Sequence, residues 1–282
     1  MRKKQIVVSV VVVAIMGYLY TLPVKGLVKP KENRASAAAG AAPAAKQVAN
    51  VTVDSVAAVA KKLLEPAQVQ QIAALEQSLK AASDADKVKI QKQLATAWDQ
   101  VNQPAPAAFY YSEIAHKSDA VADWINAGNR FNTAFKVSQD TTMQGALVAN
   151  AVDAFEHATK LQPANLEAKT GLGVAYVNGG GTPMQGITLL LDVVKQDPNN
   201  HDANLNLGMF SMRSGQYAKA VQRFKTLIAQ KEEVEPYFYL AESYKQLGQK
   251  QEAIAAYEKC KQLMGDPVAG QRIDEYIKEL KK

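Results

Sequence analysis

The chain has 282 residues, 48% of them hydrophobic and 21% charged, with a formal net charge of +6. The basic excess is local: residues 1–34 carry Arg2, Lys3, Lys4, Lys25, Lys29, Lys31 and Arg34 against Glu32, which leaves 26 basic and 26 acidic residues beyond them. A body of balanced charge lacks the uncompensated Lys/Arg face that a phosphate-tracking surface needs, so no nucleic-acid partner is expected. The single cysteine, Cys260, excludes an intrachain disulfide, and none of His116, His157 and His201 has a partner at metal-ligand spacing.

Residues 1–4 form a short basic tail. No charge interrupts the 19 residues from Ile6 to Val24, which as a helix span about 28 Å at ~1.5 Å per residue, close to the hydrocarbon thickness of a bilayer. Residues 5–27 are therefore expected to be a transmembrane anchor, with Lys25 snorkelling and Tyr18 and Tyr20 at the interface. The rival reading is a cleaved signal peptide, since Ala35-Ser36-Ala37 has the small-x-small form. That site lies too far past the apolar run for the usual short c-region. Basic flanks nearly balance across the run. The charges crowded against its start favour the N-terminus inside, so the protein is expected to be single-pass with its body extracytoplasmic, on the periplasmic side of a bacterial inner membrane. Residues 28–50 are Ala-, Pro- and Lys-rich and carry no repeating bulky apolar residue, so they read as a flexible linker.

Residues 51–87 read as an N-terminal helical hairpin over 53–64 and 67–82, broken at Glu65-Pro66. Val56, Val59 and Leu63, then Ile72, Leu75 and Leu79, keep a helical rhythm, and Asp84 or Asp86 is placed to cap the next helix. From there a pattern of small and large residues recurs about every 34 residues. Leu172-Gly173 with Tyr176 is followed by Leu207-Gly208, then by Leu240-Ala241 with Tyr244. Gly186 with Leu190, Ala220 with Phe224, and Ala253 with Tyr257 keep step. A small residue and a large one four positions later share a helical face, so two helices approach closely at one level and lock at the next. Upstream, Trp124, Gly128 and Phe131 open a longer unit closed by Ala151, Phe155, Ala158 and Pro163, whose second helix is expected from near Thr141 to Leu161. A degenerate copy holds Leu94, Ala95, Trp98, Ala107 and Tyr111. Asp266-Pro267 starts a last helix, residues 268–282, which caps the array with Ile273, Tyr276, Ile277 and Leu280.

These residues resemble the tetratricopeptide repeat of membrane-anchored bacterial proteins. The resemblance covers residues 88–267, in units of about 88–120, 121–165, 166–200, 201–233 and 234–267. It implies an all-α protein: a right-handed α-solenoid of helical hairpins, preceded by a single N-terminal transmembrane helix and flexible linker. It also implies a concave groove lined by the first helix of each unit. Carried over, the groove residues are Ile125, Asn129 and Asn132; Thr170, Val174 and Asn178; Leu205, Met209, Met212 and Arg213; and Phe238, Glu242, Lys245 and Gln246. Leu205, Met209, Met212 and Phe238 would form a soft apolar patch unless neighbouring helices cover them. The Lys and Asn pair with which some relatives grip a C-terminal carboxylate is absent, because Ile125 stands at its first position.

One turn breaks the pattern. Gly179-Gly180-Gly181 before Thr182-Pro183 invites an anion nest, but the lysine of a phosphate-binding loop is missing and an inserted turn with Thr182 as N-cap is the better reading. No Ser-His-Asp constellation appears, so no catalytic, cofactor-binding or metal residues are expected, and no enzyme. The function expected is a membrane-anchored adaptor holding a protein or peptide client, in envelope protein assembly, export or cytochrome c maturation. The alternative is a self-assembling structural envelope protein, a homodimer through its repeats, which would make the chain a homo-oligomer.

Overall fold

The computed structural model describes residues 51–179 and 182–282. These form thirteen helices, with no strand among the described residues. The first four are α1 (Val53–Lys61), α2 (Pro66–Ala81), α3 (Asp84–Gln100) and α4 (Pro104–Ser118). Next come α5 (Val121–Val137), α6 (Thr141–Leu161), α7 (Leu166–Gly179), α8 (Pro183–Gln196) and α9 (His201–Arg213). The last four are α10 (Tyr217–Gln230), α11 (Val234–Gln246), α12 (Lys250–Met264) and α13 (Pro267–Leu280). The expected anchor (5–27) and linker (28–50) lie outside the described residues. Among the described residues no helix is long and apolar enough to cross a membrane.

Helix starts follow local chemistry. Thr52 and Ser55 exchange side-chain and backbone hydrogen bonds at the head of α1. Asp140 accepts from the amides of Thr142 and Met143, Asn200 from Ala203, and Asp266 from Val268 and Ala269. Each satisfies amide groups that a first turn leaves unpaired. Neither Asp84 nor Asp86 caps α3. Ser83 takes the cap position and donates its hydroxyl to the Asp86 carboxylate at 2.6 Å, so that acid is engaged by a side chain. Thr182 occupies the N-cap of α8, but its side chain makes no capping hydrogen bond. The turns after α9 and α11 hold Gly215 at φ 72° and Gly248 at φ 73°, a left-handed geometry only glycine adopts without strain.

Consecutive helices from α2 onward pack against one another, so each hairpin touches chiefly its neighbours. The core is correspondingly a string of four clusters, not one centre. Trp98 anchors the first, Trp124 with Phe131 and Phe155 the second, Leu190 with Val193 the third, and Phe224 with Tyr257 the last. The small positions are real notches. A Cβ on Gly208 would lie 2.6 Å from the Phe224 ring, and one on Gly128 would lie 2.6 Å from Phe155. α6 has 21 residues against 14 in α8 and 14 in α10, and α5 has 17 against 13 in α9 and 13 in α11, so both helices of the longer unit absorb its extra length.

The first two helices depart from the expected hairpin. α1 lies against α4 and α2 against α3, with a Lys61–Glu76 ion pair joining α1 to α2. α1 buries Val56, Ala57 and Ala60, while Val59 is 51% and Leu63 74% exposed. The reason is geometric: the helix stops at Lys61, which leaves Leu63 in the turn, and Val59 falls off the stripe that faces α4.

Candidate binding groove

The first helices of successive hairpins touch each other across the intervening partner: α5 meets α7, α7 meets α9, and α9 meets α11. The second helices, α6, α8, α10 and α12, do not pack together to a comparable extent. In a stack of hairpins the row whose members touch lies on the inside of the bend. The inner wall is therefore built from α5, α7, α9 and α11.

A cleft of about 460 Å³ opens on this wall between α5, α7 and α9. α5 contributes Asn129, Asn132, Thr133 and Lys136; α7 contributes Glu167, Thr170 and Val174; α9 contributes Asp202, Leu205 and Asn206. Its lining is predominantly polar, and its hydrogen bonds cross between helices. Asn129 Nδ2 donates to Glu167 Oε1 at 3.0 Å and Asn132 Nδ2 to the Gly171 carbonyl at 3.1 Å. At the neighbouring junction His201 bridges Asp202 and Glu233, at 3.1 and 2.8 Å, and so ties the starts of α9 and α11. Burial lowers the His201 pKa, but the hydrogen bonds and charges of Asp202 and Glu233 outweigh it and hold the imidazole above its ordinary value.

Of the groove residues expected from the sequence, Asn129, Asn132, Thr170, Val174 and Leu205 come together in this cleft. Ile125 does not: it is 6% exposed and packs in the cluster around Trp124, because its face of α5 meets the neighbouring helices. The apolar patch is largely closed as well. Leu205, Met209, Met212 and Phe238 are only half-exposed and pack against the last core cluster. Neighbouring helices cover them, Phe238 through the rings of Tyr257 on α12 and Tyr276 on α13, contacts that no single helix encodes. Asn178 accepts from Arg213 across α7 and α9 at 3.5 Å. Glu242 accepts from the Tyr257 hydroxyl and lies 3.8 Å from Lys245, whose ammonium sits 5.4 Å from the Tyr276 ring centre. Gln246, at the end of α11, is exposed. A second, more open cleft of about 630 Å³ has Phe238, Met264, Val268 and Tyr276 on its walls.

Sequence reasoning missed Asn206, Thr133, Lys136, Glu167 and Asp202. The signal was present in Asn206, an asparagine in a helix interior where it is intrinsically unfavourable. Such a residue within an apolar stripe asks for a reason, and the cleft supplies one.

Hairpins that stack through their neighbours, with one helix of each forming a common inner wall, define an α-solenoid of helical pairs. Two tetratricopeptide-repeat family models match, at residues 234–267 and 189–222; the second begins inside α8 and so spans two hairpins. A thermophilic tetratricopeptide-repeat protein of Thermus thermophilus is 18% identical, with a TM-score of 0.53 over 67% of this chain and 97% of that one. PilW, a widely conserved type IV pilus biogenesis factor, is 19% identical, with a TM-score of 0.53 over 71% and 87%. At these identities the likeness is one of fold. No curated protein is significantly similar in sequence. Residues 189–222 and 234–267 thus match tetratricopeptide repeats, and the fold of the described residues is that of a tetratricopeptide-repeat solenoid.

Proposed function

We propose that this protein is a non-catalytic scaffold that holds an extended segment of a partner protein along the inner wall of its repeats. The observation that carries this reading is the cleft across α5, α7 and α9, where polar side chains from three successive units line one continuous surface. An extended chain matches such a surface, because it presents a backbone and alternating side chains at regular intervals. We further propose that residues 5–27 tether the scaffold to a membrane with the repeats extracytoplasmic, as the uncharged run from Ile6 to Val24 supports. Tethering concentrates the repeats beside membrane-associated partners.

Site-specific photocrosslinking tests the scaffold. A crosslinking residue at Thr133, exposed on the cleft, is expected to trap one discrete partner in living cells, whereas one at Met184, 71% exposed on α8, is not. Equal trapping at both positions, or a trapped species that is only a second copy of this chain, would sink the reading.

A further inference from the structure

The cleft between α5, α7 and α9 is rich in hydrogen-bond acceptors that its own residues leave unused. Asn132 and Asn206 are 7% and 9% exposed. Each turns its Nδ2 to a carbonyl of the chain, Gly171 O at 3.1 Å and Asp202 O at 2.8 Å. Those donations fix the orientation of both amides, since the reverse would set oxygen against oxygen. Each Oδ1 is thereby buried without a partner. The hydroxyl protons nearby are also committed, Thr133 to Asn129 O at 2.9 Å and Thr170 to Leu166 O at 2.8 Å. Glu167 and Asp202 add two carboxylates to the lining, against one cation in Lys136.

Native proteins rarely leave buried acceptors unpaired, and two lining one cleft point to a donor that arrives from outside. We propose that this stretch of the wall is a subsite for a basic side chain of the bound segment, a guanidinium before an ammonium. The proposal rests on the scaffold reading above and names the chemistry of its occupant. A guanidinium is planar, carries five N–H donors and is weakly hydrated, so it can serve a carboxamide oxygen and a carboxylate together in a partly buried place. A carboxylate or phosphate would meet unpaired oxygens and two like charges, with Lys136 the one cation of the lining and the His201 imidazole already bridged to Asp202 and Glu233. An apolar side chain would seal both oxygens in without a donor.

The test uses the full chain, labelled with ¹⁵N, and Nα-acetyl-arginine methylamide as probe. The side-chain amide signals of Asn132 and Asn206 are expected to shift saturably, with the lysine analogue weaker and the norleucine and glutamate analogues inactive. Glu167→Gln, at an exposed rim position that leaves the core intact, is expected to weaken the arginine probe about two- to fivefold. No saturable shift, or an equal shift from norleucine, overturns the subsite. A random dodecapeptide library displayed to the same protein separates the two readings. Enriched peptides that share no basic position overturn the subsite and leave the scaffold standing. Arginine-probe binding without any enriched peptide upholds the subsite and sinks the peptide scaffold.

Discussion

Asn132 donates its Nδ2 to the carbonyl of Gly171 at 3.1 Å, across the interface between α5 and α7. That glycine is also a packing notch: a Cβ there would lie 2.1 Å from the Phe155 ring. The cleft and the core therefore meet at one residue.

Gly171→Ala is expected to destabilise the protein by about 1–3 kcal/mol, because the added methyl overpacks a fully buried ring. Gly145 supplies the control. It is an exposed residue within α6, and nothing lies within 4 Å of an added Cβ. Gly145→Ala should be neutral or stabilise by up to ~1 kcal/mol through helix propensity alone. Urea denaturation midpoints of the two variants would show opposite signs.

Asn206→Leu is expected to raise stability, by up to ~1 kcal/mol, while impairing binding. It removes a buried acceptor that has no partner and replaces a poor helix former with a good one. Stability gained at the expense of a binding surface is the usual trade at functional positions. A variant that loses stability instead would mean that the Asn206 amide is structural.

The His201 bridge makes a pH-dependent contribution. Its pKa is raised in the folded protein above the ordinary value of 6.5. The contribution is therefore fully present below pH 6.5 and is lost as pH rises through the folded-state pKa. Its side chain is 44% exposed, so the effect is that of a solvated ion pair, about 0.2–1 kcal/mol. His201→Gln should flatten this component of a stability profile taken across the imidazole range, from about pH 5.5 to about pH 8.5.

Cys260 is fully buried, with its Sγ 3.5 Å from the Val234 carbonyl, and burial pushes its thiol pKa up. The folded protein should resist an aromatic disulfide reagent at about pH 8, where a free thiol already carries an appreciable thiolate fraction. Ile277→Ala, in the same core cluster, opens a cavity costing about 2–5 kcal/mol and should release the thiol to labelling. Native protein that reacts at the rate of a free thiol would contradict the packing of α12 beneath α11 and α13.

The helical pairs were legible because their determinants are local. Ala220 with Phe224, or Ala253 with Tyr257, announce a small and a large residue one turn apart on a helical face, a spacing that a short window contains. The inner wall was legible only as a set of positions. Whether Met209 or Phe238 stays open depends on how neighbouring helices cross over them, which is a relation between elements. Val59 misleads because the rhythm marks an apolar face without saying which helix, if any, will cover it, and Ile125 because a position carried over from the repeat family takes no account of the helices packed on it. Asn206 was readable in principle, since a mid-helix asparagine is an anomaly, but a positional rule looked past it to Leu205 and Met209.

Phe155 sits between two hairpins, close against Gly128 of its own unit and Gly171 of the next. Its ring cannot be fully enclosed until both have formed. A fragment ending at Leu161 would keep the ring and discard half its housing, exposing an aromatic surface prone to self-association. Dissection of this protein into shorter pieces should therefore place no cut between α6 and α7.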